Sequence, residues 1–172
     1  MNTTLFIPEL HIYLLVISII VFYFFKKTTR EVFGDVKLNS IIRTGAFVFI
    51  QLLVMSLILQ HSSTFFGFND TQNVDEAAQG IASQGVMGAL SLSVSALIEE
   101  VFFRGIIFSI VNPWFSTLLF GIAHAGYGSL VQLGGALIAG IILMRARSET
   151  KSIYPGVAGH ILYNLVAVFI LT

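Results

Sequence analysis

Six long apolar runs, separated by short polar or charged segments, make up most of the chain. They cover about 10–25, 41–60, 77–111, 114–127, 129–144 and 153–171. About 20 apolar residues in a helix are enough to cross the hydrocarbon layer of a bilayer. The pattern therefore predicts an all-α, polytopic membrane helical bundle with about six transmembrane helices. We expect residues 1–172 to form a single integral membrane domain.

The composition supports a membrane environment and excludes several function classes. Hydrophobic residues make up 56% of the chain, charged residues only 10%, and mean hydropathy is +0.89. One soluble core of 172 residues could not bury that much apolar surface. The net charge is zero and no basic tract exceeds Lys26 and Lys27, which argues against nucleic acid as a partner. The chain has no cysteine, which excludes disulfides and thiolate chemistry.

The basic residues predict the topology. One cluster follows the first apolar run and comprises Lys26, Lys27, Arg30, Lys37 and Arg43. A second follows the fifth run and comprises Arg145, Arg147 and Lys151. Cytoplasmic loops carry an excess of Lys and Arg, whereas the loop at about 61–76 has acidic residues and no basic ones. Both basic clusters are therefore predicted to be cytoplasmic, and both termini to be outside.

Two apolar runs differ in length from a single straight transmembrane helix. The run 77–111 is too long for one straight helix and predicts a tilted or kinked one with an interfacial start. The run 114–127 gives about 21 Å of helix, less than the ~30 Å hydrocarbon thickness, which indicates a thinned bilayer or a water-accessible recess. Between them, Asn112 is expected to cap the next helix, with Pro113 in its first turn. Small residues four apart in the fifth run, Gly135 with Ala139 and Ala136 with Gly140, predict close helix packing.

Strongly polar residues inside the later runs are the candidate functional residues. They are Glu99, Glu100, Arg104, His124 and His160, followed by Asn164 one helical turn later. Ionisable groups in hydrocarbon are costly, so they indicate a functional site. Counted from the cytoplasmic helix ends, Glu99, His124 and Asn164 lie at a similar depth of about 16–18 Å. Arg104 and His160 lie about 10 Å deep by the same count.

Structural roles compete with chemical ones for some of these residues. Glu100 and Arg104 are four apart and suit a structural ion pair. His160 and Asn164 are also four apart and suit a helix-packing hydrogen bond. Glu99 has no second cation in its segment, which leaves a carboxylate able to accept a proton. His11 and His61 lie at predicted outer helix ends, where imidazole is readily solvated, and are assigned no chemistry.

Together, the candidate residues supply a base, two imidazoles and an amide donor, which suffice to add water to a carbonyl. The chain lacks HExxH and GxSxG motifs, and its aspartates, Asp35, Asp70 and Asp75, lie in predicted loops. Those patterns argue against HExxH-type zinc, serine and aspartyl mechanisms.

Zinc remains an alternative, because Glu99, His124 and His160 could form a two-His, one-carboxylate set. These residues come from three different helices, and Asn164 is a better oxyanion donor than zinc ligand. We therefore expect no metal and no cofactor, with zinc not excluded.

Three ordered motifs resemble a known family. Residues 99–104 match EExxxR, residues 120–124 match FxxxH, and residues 160–164 match HxxxN. The chain thus resembles the CPBP (CAAX protease and bacteriocin-processing, or Abi) family of intramembrane glutamic-type endopeptidases, with a motif core at about 86–167. The resemblance implies that Glu99 activates water, and that His124, His160 and Asn164 bind the water or the developing oxyanion. It also implies that Glu100 and Arg104 support the site.

The expected substrate is a peptide or protein with a hydrophobic, membrane-associated segment. With only two helices before the motif core, a peptide precursor or the C-terminal sorting tail of an exported protein fits better than a prenylated CAAX protein. The family also resembles non-catalytic immunity and scaffolding proteins, so a peptide-binding role is the first alternative. A small proton-coupled transporter is the second. The expected location is a prokaryotic cell membrane.

The topology can be tested by cysteine labelling, since the chain has no cysteine of its own. A cysteine at position 35 is expected to resist an impermeant thiol reagent added from outside and to react after permeabilisation. Labelling of intact cells at that position would invert the topology.

Overall fold

The computed structural model describes residues 6–25, 29–67 and 70–171, so Lys26 and Lys27 lie outside the described part. The helices are α1 Phe6–Phe25, α2 Thr29–Phe33, α3 Leu38–Phe65, α4 Gln72–Ala82, α5 Val86–Glu99, α6 Phe108–Ile110, α7 Pro113–Ala123, α8 Leu130–Thr150 and α9 Tyr154–Phe169. A π-helical segment, Glu100–Ile107, joins α5 to α6, and a 3-10 turn, Ala125–Tyr127, follows α7. The described residues include no strand, so the predicted all-α class is confirmed.

Within the described ranges, three helical stretches are long and apolar enough to cross a membrane: Leu38–Phe65, Val86–Ile110 and Leu130–Thr150. Two shorter apolar stretches, Leu10–Phe24 and Tyr154–Phe169, accompany them. Large apolar side chains face outward from the bundle, among them Ile19 on α1, Phe47 on α3 and Val94 on α5. Lipid can cover such a surface at no hydrophobic cost, and the chain is a helical membrane bundle.

The long run 77–111 differs in detail from the expected single kinked helix. The chain breaks at Gly85, whose φ of 55° is in the left-handed region that favours glycine. The predicted loop at 61–76 is also shorter than expected, because α3 continues to Phe65 and α4 begins at Gln72. At the other end, the Asn112 side chain accepts a hydrogen bond from the Phe115 N–H, which confirms the predicted cap.

Glycines set the close approach of α3 to α9. A Cβ atom added at Gly159 would lie 2.7 Å from the Gly45 carbonyl oxygen and 2.6 Å from Val48 Cγ1. A larger residue would force the helices apart. His160 follows Gly159 directly, so this contact fixes how far His160 extends into the bundle.

Small residues also bring α7 against α8. A Cβ atom at Gly140 would lie 3.0 Å from Thr117 Cγ2, which confirms the predicted close packing for this position. A Cβ atom at Gly121 would lie 2.3 Å from Leu137 Cδ2. Gly135 faces Leu59 of α3 instead.

Arg147 is buried, although the sequence places it in an exposed cytoplasmic cluster. Its Nε donates to the Arg104 carbonyl oxygen at 3.1 Å, and its Nη2 donates to the Glu31 carbonyl oxygen at 2.8 Å. Ser152 also donates to the Phe33 carbonyl oxygen at 3.0 Å. These bonds attach α2 to the bundle, since unpaired backbone carbonyls in a buried position are costly.

Candidate active site

The site begins at the π-helical segment Glu100–Ile107. π-Helical turns are rare and occur often at functional sites. Here the segment buries Glu100, Phe103 and Arg104. The Ser116 hydroxyl of α7 donates to the Phe103 carbonyl oxygen at 2.6 Å. Together with the Arg147 bond to the Arg104 carbonyl, this contact fixes the segment against α7 and α8.

Glu100 and Arg104 form the predicted ion pair within this segment. Glu100 Oε1 lies 3.2 Å from Arg104 Nη1, and both side chains are 1% exposed. The Arg104 guanidinium carbon lies 4.0 Å from the centroid of the Phe120 ring, so a cation–π contact adds to the pairing. Buried charges need such compensation, because each loses its hydration.

His160 lies between two carboxylates. Its Nδ1 is 3.2 Å from Glu100 Oε1, and its Nε2 is 3.8 Å from Glu99 Oε2. The first distance is a hydrogen bond and the second is an ion-pair contact too long for one. The absence of a side chain at Gly156 makes room for Glu100, since a Cβ atom there would lie 3.0 Å from Glu100 Oε2. His160 therefore turns toward the glutamates and not toward Asn164.

Glu99 differs from Glu100 in access and in partners. Its side chain is 13% exposed, against 1% for Glu100. Its Oε1 lies 2.8 Å from His11 Nε2 on α1. Of the two glutamates, Glu99 is therefore the more exposed.

The position of His11 corrects the sequence interpretation, which placed this imidazole in solvent without a chemical role. His11 is buried, with 7% of the residue exposed. Leu14 and Ser18, three and seven residues later, are buried on the same face of α1. That spacing was the available signal, because residues i, i+3 and i+7 share one helical face.

His124 lies at the end of α7, beside the other candidates. Its Nδ1 donates to the Phe120 carbonyl oxygen at 2.8 Å, which makes Nε2 the acceptor nitrogen of the neutral ring. The ring lies 4.6 Å from the Phe120 ring centroid and 6.4 Å from that of Tyr127.

A cavity of about 490 Å³ leads to the histidines. His124, His160 and Asn164 line one part of it. Polar residues from the end of α3 and from the α4 region line another part, namely Gln60, Ser63, Thr64, Thr71, Asp75 and Gln79. Glu99 is not part of the cavity wall, and its connection to the cavity is the contact with His160.

The structure thus brings the six predicted residues together in different ways. Glu99, Glu100, Arg104 and His160 form one connected set of charged contacts. His124 joins them through the Phe120 ring, which also lies 6.1 Å from the His160 ring. Asn164 lines the same cavity as His124 and His160. Within the described ranges, no three His, Asp or Glu side chains group closely enough to hold a metal ion.

Comparison with known proteins assigns the class. Residues 81–166, half of the 172-residue chain, match the model of a family described as type II CAAX prenyl endopeptidase Rce1-like. The chain belongs to this family of membrane proteases, which confirms the resemblance seen in the motifs. No curated protein and no solved structure matches the chain. All six predicted site residues lie within the matched range, whereas His11 lies outside it.

Removing one partner of the buried ion pair is expected to destabilise the fold. Arg104→Met leaves the Glu100 carboxylate without its cation, and the free energy of unfolding should fall by about 3–5 kcal/mol. The double variant Glu100→Gln with Arg104→Met should recover much of that loss. Denaturant unfolding in detergent micelles measures both values.

The matched control is Arg145→Met, because Arg145 and Glu149 are also four apart but exposed, with Nη2 and Oε1 4.0 Å apart. Its stability should equal that of the wild type, since exposed pairs contribute little. Equal effects of Arg104→Met and Arg145→Met would contradict the assigned role of the buried pair.

Proposed function

We propose that this protein is an intramembrane endopeptidase of the glutamic type, with Glu99 as the general base. The observation that carries the proposal is the partly exposed Glu99 carboxylate, whose Oε2 lies 3.8 Å from Nε2 of His160, a residue that lines the 490 Å³ cavity. A general base must lie within reach of the water it activates and in a site that also stabilises negative charge.

In this mechanism, Glu99 Oε2 takes a proton from water as the oxygen attacks the peptide carbonyl carbon. The carbonyl π electrons move to oxygen, and the resulting oxyanion accepts hydrogen bonds from the Asn164 amide and from Nε2–H of a protonated His124 or His160. Collapse of this tetrahedral intermediate breaks the C–N bond. The protonated Glu99 then returns its proton to the departing amine, so the carboxylate is regenerated.

Glu100 and Arg104 have a supporting role in this proposal. Glu100 Oε1 engages His160 Nδ1 at 3.2 Å, so a neutral His160 that donates from Nδ1 has Nε2 as its acceptor. Protonation of His160 would make Nε2 a second donor for the oxyanion. Arg104 balances the charge that Glu100 brings into the bundle.

The residues that line the cavity favour a substrate that enters from the outer side of the membrane. Its polar end is formed by the last turns of α3 and by the α4 region, which the charge pattern assigns to the outside. Among the described residues of its wall, Asp75 is the one Asp, Glu, Lys or Arg. We therefore propose that the substrate is a peptide precursor or the C-terminal sorting tail of an exported protein, processed by a multi-pass enzyme of a prokaryotic cell membrane.

A non-catalytic peptide-binding or immunity protein is the second candidate. The observation that favours it is the position of Glu99, which bonds to His11 and does not form part of the cavity wall. A small proton-coupled transporter has no comparable support.

Purified protein in proteoliposomes, supplied with a panel of peptides, tests the proposed function. The panel contains a farnesylated CAAX peptide, an unprenylated peptide with a hydrophobic C-terminal tail, and a soluble peptide of matched length. The tail peptide should be cleaved, and in oxygen-18 water one heavy oxygen should enter the new carboxylate. Binding of the tail peptide without cleavage would favour the non-catalytic candidate. Cleavage of the farnesylated peptide alone would overturn the substrate proposal.

Glu99→Gln keeps the size of the side chain but removes the base. Turnover of the cleaved peptide should fall by about 10²–10⁴-fold, with insertion and unfolding behaviour retained. Glu149→Gln, at an exposed carboxylate on α8, is the matched control and should keep wild-type turnover. Wild-type activity in a folded Glu99→Gln protein would refute the assignment of the base.

The proposed mechanism needs no metal. Activity should persist after exhaustive dialysis against a zinc chelator, and the active protein should contain no stoichiometric transition metal by elemental analysis. Loss of cleavage on chelation with specific recovery on zinc addition would make Glu99 a metal ligand or a metal-assisted base.

A further inference from the structure

A histidine outside the family-matched region contacts the proposed base. His11 belongs to α1, whereas the family match begins at residue 81. The His11 Nε2 to Glu99 Oε1 distance of 2.8 Å joins residues 88 apart in sequence. It is shorter than the 3.2 Å contacts of Glu100 with Arg104 and His160 and the 3.8 Å contact of Glu99 with His160.

The contact is part of a packed interface. α1 lies against α5 and against the π-helical segment, and Leu14, one turn after His11, belongs to the hydrophobic core. The His11 and Glu99 side chains are 9% and 13% exposed, so little water competes for their hydrogen bond. A charge-assisted bond in such surroundings orients both partners.

The two oxygens of Glu99 consequently have different roles. Oε1 bonds to His11, while Oε2 lies 3.8 Å from His160 Nε2, beyond hydrogen-bond distance. A carboxylate with one oxygen held by a donor cannot rotate freely about its terminal bond. Oε2 is then the oxygen directed toward His160 and the cavity, where the attacking water is needed.

We propose that His11 is a positioning residue that holds Glu99 Oε1 and thereby directs Oε2 toward His160. The proposal rests on the proposed function for its catalytic consequence. It assigns to α1, which the family match does not include, a direct part in the arrangement of the catalytic base.

Two substitutions separate the hydrogen bond from the packing. His11→Gln places an amide N–H near the position of Nε2 and keeps a donor for Glu99. His11→Leu keeps an apolar body on the buried face but has no donor. Ser18→Ala is the matched control on the same face of α1, because the Ser18 hydroxyl donates to the Leu14 carbonyl oxygen of its own helix at 2.7 Å.

The kinetic readout uses the panel peptide that the wild type cleaves. His11→Leu should lower kcat by about a hundredfold with little change in KM, since a misplaced catalytic group costs that much without altering substrate contacts. His11→Gln should stay within a fewfold of the wild type, and Ser18→Ala should equal it. Equal kcat in His11→Leu and wild type, or equal losses in His11→Leu and His11→Gln, would overturn the positioning role.

A spectroscopic readout is independent of turnover. Nitrogen-15 histidine labelling in proteoliposomes gives signals for four histidines, each assigned by its loss in a single variant. Glu99→Gln should shift the His11 Nε2 signal and leave that of exposed His61 unchanged. His11→Leu should shift the His160 Nε2 signal through reorientation of Glu99, and His11→Gln should restore it.

These results distinguish failure of the proposed function from failure of the positioning contact. A wild type that cleaves no panel peptide, yet shows the coupled His11, Glu99 and His160 signals, loses the proposed function and keeps the positioning contact. A His160 signal that does not respond to His11→Leu refutes the positioning contact, even in an active enzyme.

Discussion

The buried contact between Glu100 and Arg104 is the interaction on which the site depends. Two charges that are 1% exposed cannot rely on water, so the surroundings must supply their partners. Phe120 provides a ring face for the guanidinium, His160 provides an N–H for the carboxylate, and Gly156 leaves the space that the carboxylate fills. Two helices, α7 and α9, thus contact the π-helical segment around this one ion pair.

That requirement also explains the packing around the site. Close approach at Gly45 and Gly159 sets the position of α9, and with it the reach of His160 toward both glutamates. The hydroxyl of Ser116 and the guanidinium of Arg147 satisfy backbone carbonyls of the π-helical segment. The unusual helical turn is thus stabilised by side chains from α7 and α8, and its geometry separates a buried Glu100 from a more accessible Glu99.

The two adjacent glutamates, Glu99 and Glu100, therefore have different roles in the proposed mechanism. Glu100 pairs with Arg104 and engages His160, whereas Glu99 is the more exposed of the two and is the proposed base. His11 contributes to this difference, because it bonds to Oε1 of Glu99 while Oε2 is directed toward His160. One face of α1 exposes apolar side chains such as Ile19, and another face buries His11 and Leu14 against the site.

The sequence by itself determined the helical membrane class, the cap at Asn112, the spacing of Glu100 and Arg104, and the three ordered motifs that resemble the family. The first three depend on composition or on residues a few positions apart, so local physics is sufficient to predict them, whereas the motifs indicate the family by resemblance. The contact of His11 with Glu99, the burial of Arg147 and the π-helical turn at Glu100–Ile107 came only from the tertiary structure. Each depends on helices distant in sequence, because the free energy that favours a buried polar contact arises only when the partner helix supplies its other half.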